Sequence, residues 1–329
     1  MKNNIAYRFI YIIAGLSLCG PSALAQTTEP TDSIPVEEVA TAQEEDGTIA
    51  IPPLFEYVVA PDDLPDLQSR TDYLMDNFWN PFDFKKTKSV DQNALNHAFS
   101  VYVQAMPYAS EKKVTDSVKK LVGNIKGNPG LSLQFVKAAE DALYGPRAEF
   151  WVDPIYMSFL ENLVANKKVS DSKKKKYIAQ LDLLKRNAVG ATLPHINFVA
   201  LDGKPSTLQF TAPYTLIQFR NADCDDCRFA NLKLELNGVA SDRIDSGKLE
   251  VYTIILADSE AAIKDLDAGE MNSKWHLGWS QDAATQLDIR MTPSYYVVDQ
   301  NGKITAKNEI ISNVLDLISR LPETPQKSK

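Results

Sequence analysis

Two cysteines three positions apart, Cys224 and Cys227, are the residues of this chain best suited to chemistry. A thiolate attacks a disulfide sulfur, and a second thiol close by can displace the mixed disulfide that results. Two plainer uses compete with that one. A structural disulfide across so short a loop removes little entropy from the unfolded chain, so stabilisation alone motivates it poorly. A structural zinc ion wants two more Cys or His ligands at motif spacing, and His97, His195 and His276 are scattered. Redox chemistry is the reading these residues favour, and it calls for no metal and no other cofactor.

The remaining cysteine, Cys19, bears on the compartment. Lys2 and Arg8, an apolar stretch from Phe9 to Leu18 and the tripeptide Ala23-Leu24-Ala25 read as an export signal cleaved after Ala25. Cleavage removes Cys19 and leaves Cys224 and Cys227 to pair with each other in an oxidising periplasm. A membrane anchor is the competing reading, but a spanning helix wants ~20 continuous apolar residues and this stretch breaks at Gly20-Pro21. A lipoprotein acylated at Cys19 is another, and Leu18 fits poorly where a small residue is wanted.

The two thiols need elements to hold them. Thr215, Leu216, Ile217 and Phe219 form a short β-branched and aromatic run of the kind found in buried strands. Asn221, Ala222 and Asp223 make a turn, and the apolar positions Phe229, Leu232, Leu234 and Leu236 suit a helix better than an alternating strand, with an imperfect period. Cys224 then falls at or just before a helix N-terminus, where unpaired N–H groups and the helix dipole favour a thiolate.

The rest of the 329-residue chain is long enough for two cores. A net charge of −8 argues against a nucleic-acid partner, which would require a clustered basic footprint. Residues 26–53, acidic and without Lys or Arg, bury too little to offset their ordering entropy and read as a disordered leader. From Leu54 to Asn187 the pattern is helical. Val114, Val118, Leu121, Val122 and Ile125 make one amphipathic stripe, and four more such stripes surround it. Phe78, Trp79, Phe82 and Phe84 read as core, and Lys173 to Lys176 as a solvated face opposite Tyr177, Ile178 and Leu181.

After Asn187 strand and turn signals alternate with helix. Asp202-Gly203 centres one turn and Asp299-Gln300-Asn301-Gly302 another, with strand candidates at Leu249 to Leu256 and Ser294 to Val298. The order Leu201-Asp202-Gly203-Lys204, strand, Cys224-x-x-Cys227-Arg228, strand, Thr292-Pro293, strand, Asp299-x-x-Gly302-Lys303-Ile304, helix resembles the exported thioredoxin-like thiol–disulfide oxidoreductases of bacteria. The helical half is similar to an uncharacterised domain that precedes such modules in some Gram-negative anaerobes and carries no known activity. The resemblance implies an α/β thioredoxin-like fold at the C-terminus preceded by an all-α helical domain. The corresponding divisions are a signal at 1–25, a leader at 26–53, the helical domain at 54–187, the thioredoxin-like domain at 188–321 and a flexible tail at 322–329.

It further implies roles for single residues. Pro293 would be cis, packed beside the disulfide, and would leave the Thr292 backbone open to pair with a substrate segment. Cys224 would attack a disulfide of an exported protein and Cys227 would resolve the mixed disulfide, with a membrane or periplasmic thiol donor restoring both. The chain departs from the family around the motif. Asp223 stands where a tryptophan is usual, Asp225-Asp226 lie between the cysteines, and Ala230 and Leu232 replace a frequent Glu and Pro. Three carboxylates oppose a thiolate and Arg228 favours one, so a reducing or isomerising enzyme is expected rather than an oxidising one. The competing function is a thioredoxin-like binding or accessory module with little catalysis left. A peroxidase fits less well, because Asn221 stands where an activating Thr or Ser is wanted. The oligomeric state is not legible.

Overall fold

The computed structural model describes residues 10–11, 52–148, 150–260 and 272–322. The expected export signal and leader fall outside these residues apart from Ile10–Tyr11, which pair antiparallel with Phe150–Trp151, and Pro52–Pro53. The expected tail falls outside beyond Pro322.

Among the described residues, six α-helices make the first half: α1 (Leu67–Asn77), α2 (Gln92–Ala105), α3 (Glu111–Ile125), α4 (Pro129–Leu143), α5 (Asp153–Ala165) and α6 (Asp171–Arg186). Short polar side chains start several of them. Asp66 accepts from the Ser69 N–H at 2.7 Å and Asp91 from the Ala94 N–H at 2.8 Å. At Gly127-Asn128-Pro129-Gly130 the break in the pattern is itself a start signal, since Asn128 caps α4 and Pro129 is its first residue. Val114, Val118, Leu121 and Ile125 of the α3 stripe are buried and Val122 is half-buried against them, and Phe78, Trp79 and Phe82 join one core with Phe99, Tyr102 and Phe135.

Two expectations fail on α6. Lys174 is buried and donates to the Val164 carbonyl at 2.9 Å, so the basic run is not wholly a solvated face. A lysine can bury its methylene stem while its ammonium finds a carbonyl. Ile178, assigned to the packed face, is exposed.

The second half is a seven-stranded mixed sheet among the described residues, with helices on it. The strands are β1 (Asn197–Ala200), β2 (Pro205–Thr207), β3 (Tyr214–Arg220), β4 (Leu249–Leu256), β5 (His276–Ser280), β6 (Ser294–Asp299) and β7 (Ile304–Glu309), in the order β2-β1-β5-β4-β3-β6-β7. β3 runs parallel to β4 and antiparallel to β6. Side chains alternate between two cores, as the two-residue strand period requires. Leu216, Tyr295 and Val297 meet α7 (Asp225–Glu235), α8 (Gly238–Asp245) and α10 (Ile311–Arg320) on one face. Ile217, Phe219, Tyr296 and Val298 pack on the other with Phe198 and with Ala283 of α9 (Ala283–Gln286). The strand β5 was missed from sequence.

Candidate redox site

Strand β3 ends at Arg220, and four residues later Cys224 caps α7. Its backbone is extended there, and its sulfur accepts from the Cys227 N–H at 3.2 Å. Placing a sulfur at the N-cap gives it one of the helix's unpaired donors. The Cys224 and Cys227 sulfurs form a disulfide, with their Cα atoms 5.2 Å apart. Cys227 is fully buried, whereas Cys224 is partly exposed, so an incoming sulfur reaches Cys224 first.

Thr292–Pro293 is a cis peptide. The antiparallel register sets Ser294 opposite Phe219 near the end of β3, so Pro293 comes to the same end of the sheet as the chain leading to Cys224. The sequence-predicted site residues are thus brought together by one strand pair. Met291, Thr292 and Pro293 are partly exposed, while Ser294 is buried.

The acidic residues are arranged differently from a bare repulsive cluster. Asp225 and Asp226 fill the first turn of α7, where carboxylates stabilise a helix. Arg228 is not a lone charge beside the thiol: it forms an ion pair with Asp225 and lies 4.0 Å from Asp223. All four side chains are solvent-facing to a large degree, so each pair contributes little to stability.

Of the four apolar positions that mark α7 as a helix, Leu234 alone packs inward. The buried positions of the helix are Cys227, Ala230, Asn231 and Leu234, while Phe229, Leu232 and Leu236 are exposed. Lys233 rests its ammonium 4.4 Å from the Phe229 ring centroid.

Sequence reading missed the polar support beneath the site. Arg220 is buried, and its guanidinium donates to the Asn221 carbonyl at 3.2 Å and the Ala222 carbonyl at 3.4 Å, tying down the loop that leads to Cys224. Gln218 donates to the Tyr295 hydroxyl at 3.1 Å and accepts from Thr253 at 3.2 Å. Burial pushes the Tyr295 hydroxyl far above its ordinary range. The available signal was a glutamine and an arginine within an otherwise apolar strand. Among the described residues no cluster of three or more Cys, His, Asp or Glu could hold a metal ion. No helix among them is long and apolar enough to cross a membrane.

A family model described as a domain of unknown function, DUF5106, matches residues 23–187. A thioredoxin-like protein from Bacteroides caccae has a similar crystal structure, with a TM-score of 0.69 at 17% identity, covering 80% of this chain and 98% of that one. The fold is therefore thioredoxin-like, and at 80% coverage the likeness extends beyond the sheet half into the helices. The thioredoxin domain of a thiol-disulfide oxidoreductase from Bacteroides vulgatus matches at 25% identity and a TM-score of 0.35, over 40% of this chain and 96% of that one. A thiol:disulfide interchange protein from Bacteroides sp. matches at 23% identity and a TM-score of 0.36, over 43% of this chain and 94% of that one. No curated protein matches.

Proposed function

This chain belongs to the DUF5106 family, and we propose that its thioredoxin-like half makes it a periplasmic thiol–disulfide oxidoreductase that reduces or isomerises disulfides of exported proteins. The observation that carries the reading is Cys224 at the N-cap of α7, bonded to a Cys227 buried behind it. The cis Thr292–Pro293 peptide at the same end of the sheet supports it, and the export signal read in Met1–Ala25 supports the location.

The reaction starts from the reduced enzyme. The Cys224 thiolate attacks one sulfur of the substrate disulfide, forming a mixed disulfide and releasing the other sulfur as a thiolate. The Cys227 thiolate then attacks the Cys224 sulfur and frees the substrate's second thiol. The substrate gains two electrons and two protons, and the enzyme is left with the Cys224–Cys227 disulfide seen here. A thiol donor in the periplasm or membrane returns it to the dithiol. The N-cap donor favours the attacking thiolate, and the acidic surroundings oppose it. Reduction or isomerisation, rather than oxidation, is the direction this balance supports.

Turnover of insulin by the reduced protein, compared with Cys224→Ser, tests the reading. Loss of turnover in the variant is expected. If wild type shows no Cys224-dependent turnover, the chain is a binding module instead. Equilibration with glutathione tests direction, and a potential near the ~−120 mV of a strong oxidant would overturn the reducing assignment.

A further inference from the structure

One carboxylate of the helical half holds both cations of a buried cluster in the sheet half. Asp153, the first residue of α5, accepts from Arg290 at 2.5 Å through one oxygen and from Lys307 at 2.7 Å through the other. Asp288 completes the set, 2.7 Å from Arg290 and 2.6 Å from Lys307. The Arg290, Lys307 and Asp288 side chains are only 3%, 6% and 1% exposed, so their interactions are screened little by water. The helical half also supplies aromatic rings, with the Arg290 guanidinium 4.4 Å from the Tyr144 ring centroid and 5.2 Å from that of Trp151.

The cluster brackets the partly exposed cis-proline segment. Arg290 lies two residues before Thr292. On the other side Asn308 donates to Asp288 at 3.2 Å and accepts from the Ser294 hydroxyl at 3.0 Å, and Ser294 directly follows Pro293. Asn308 holds a left-handed backbone conformation, φ 54°, which asparagine tolerates better than most residues. Met291, Thr292 and Pro293 are therefore strung between two anchors that meet at Asp288, and Asp153 restrains the first of them. Apolar packing of the same volume would serve cohesion as well or better than buried charges. What the charges add is fixed geometry.

We infer that Asp153 is a positioning residue: through Arg290, Asp288 and Asn308 the helical half sets the placement of the Thr292–Pro293 loop and so governs how a protein disulfide is received. The word "received" rests on the proposed function, but the positioning is readable without it. Asp153→Asn keeps the shape and removes the charge that opposes two buried cations.

Two measurements on the full chain test this. At short labelling times, where local opening dominates, amide exchange across residues 288–294 is expected to quicken about tenfold in Asp153→Asn, the loss of one charged hydrogen bond. The β3 amides should not change on that timescale. The apparent KM for insulin should rise by a similar factor with kcat unchanged, the rate with a small aromatic disulfide should stay as in wild type, and Asp153→Glu should restore part of the loss. Exchange within twofold of wild type would overturn the inference, as would equal quickening in β3. Faster loop exchange with no Cys224-dependent turnover in wild type would uphold the positioning and remove the proposed function. Should Asp153→Asn not fold, Tyr144→Leu, which removes the nearer of the two rings beside Arg290 and leaves Asp153 in place, is expected to shift loop exchange in the same direction, about threefold, and no shift there would also overturn the inference.

Discussion

The Cys227 backbone N–H donates to the Cys224 sulfur at 3.2 Å. Reduction leaves that donor in place at the N-cap, so the charges nearby decide how much thiolate forms. Asp225→Asn with Asp226→Asn removes two negative charges beside Cys224 without removing the cap. Alkylation of the reduced protein at pH 7 is expected to be about two- to fivefold faster in the double variant, with a less negative potential. A slower reaction would mean that the carboxylates do not oppose the thiolate.

Burial alone would raise the carboxyl groups of Asp153 and Asp288, but Lys307 and Arg290 outweigh it and hold both below the usual carboxylate range. A carboxylate depressed in the folded state stabilises it above its unfolded value, near ~3.9, and loses that contribution as pH falls through the folded value. Thermal melts should show Asp153→Asn less stable than wild type by about 2–4 kcal/mol at pH 7, the cost of stranding buried charge. The gap should narrow as pH drops from about 4 downward. A gap that widened in acid would contradict the assignment.

Gly278 allows β5 to lie against β1. A Cβ there would sit 2.5 Å from the Val199 carbonyl oxygen and 2.5 Å from the Phe198 ring. The register pairs Gly278 with Ala200, so the carbonyl cannot withdraw without opening the ladder. Gly278→Ala is expected to cost about 2–3 kcal/mol, within the range for overpacking, measured by urea unfolding. A neutral substitution would show that the two strands are less tightly apposed.

On α7, Leu234 is 2% exposed and Leu232 is 49% exposed. Leu234→Ala should cost about 2–4 kcal/mol, while Leu232→Ala should stay within about 0.5 kcal/mol. Equal effects would mean that α7 does not pack through Leu234.

The orientation of α7 shows where sequence reading succeeds and fails. The buried strand, the N-cap cysteine and the turn at Asp202-Gly203 are local signals, each written within a few residues, and are legible, whereas the cis peptide at Thr292–Pro293 is expected through the resemblance alone. The existence of α7 is legible too, but not its rotation. Phe229, Leu232, Leu234 and Leu236 keep only an imperfect helical period, and the helix packs through Cys227, Ala230, Asn231 and Leu234, which shares one position with that set. Counting hydrophobic side chains finds the helix but does not name its buried face. The strand β5 was missed because His276-Leu277-Gly278-Trp279-Ser280 has neither a β-branched run nor a clean alternation. The charged cluster was missed for another reason. Asp153 and Arg290 are 137 positions apart, and an isolated charge in a sequence does not name its partner.

The cluster also bears on any attempt to study the halves as separate polypeptides. Intact, two carboxylates face two cations and their charges cancel. Residues 23–187, the span matched by the family model, take Asp153 with them and leave Arg290 and Lys307 with Asp288 alone. The liberated sheet half would present a newly bared surface carrying one uncompensated positive charge, with the Arg290 guanidinium stripped of the Tyr144 and Trp151 rings. Such a fragment would keep both cysteines, yet it would be a differently charged molecule with a differently held proline loop. Its kinetics would describe the fragment and not the parent.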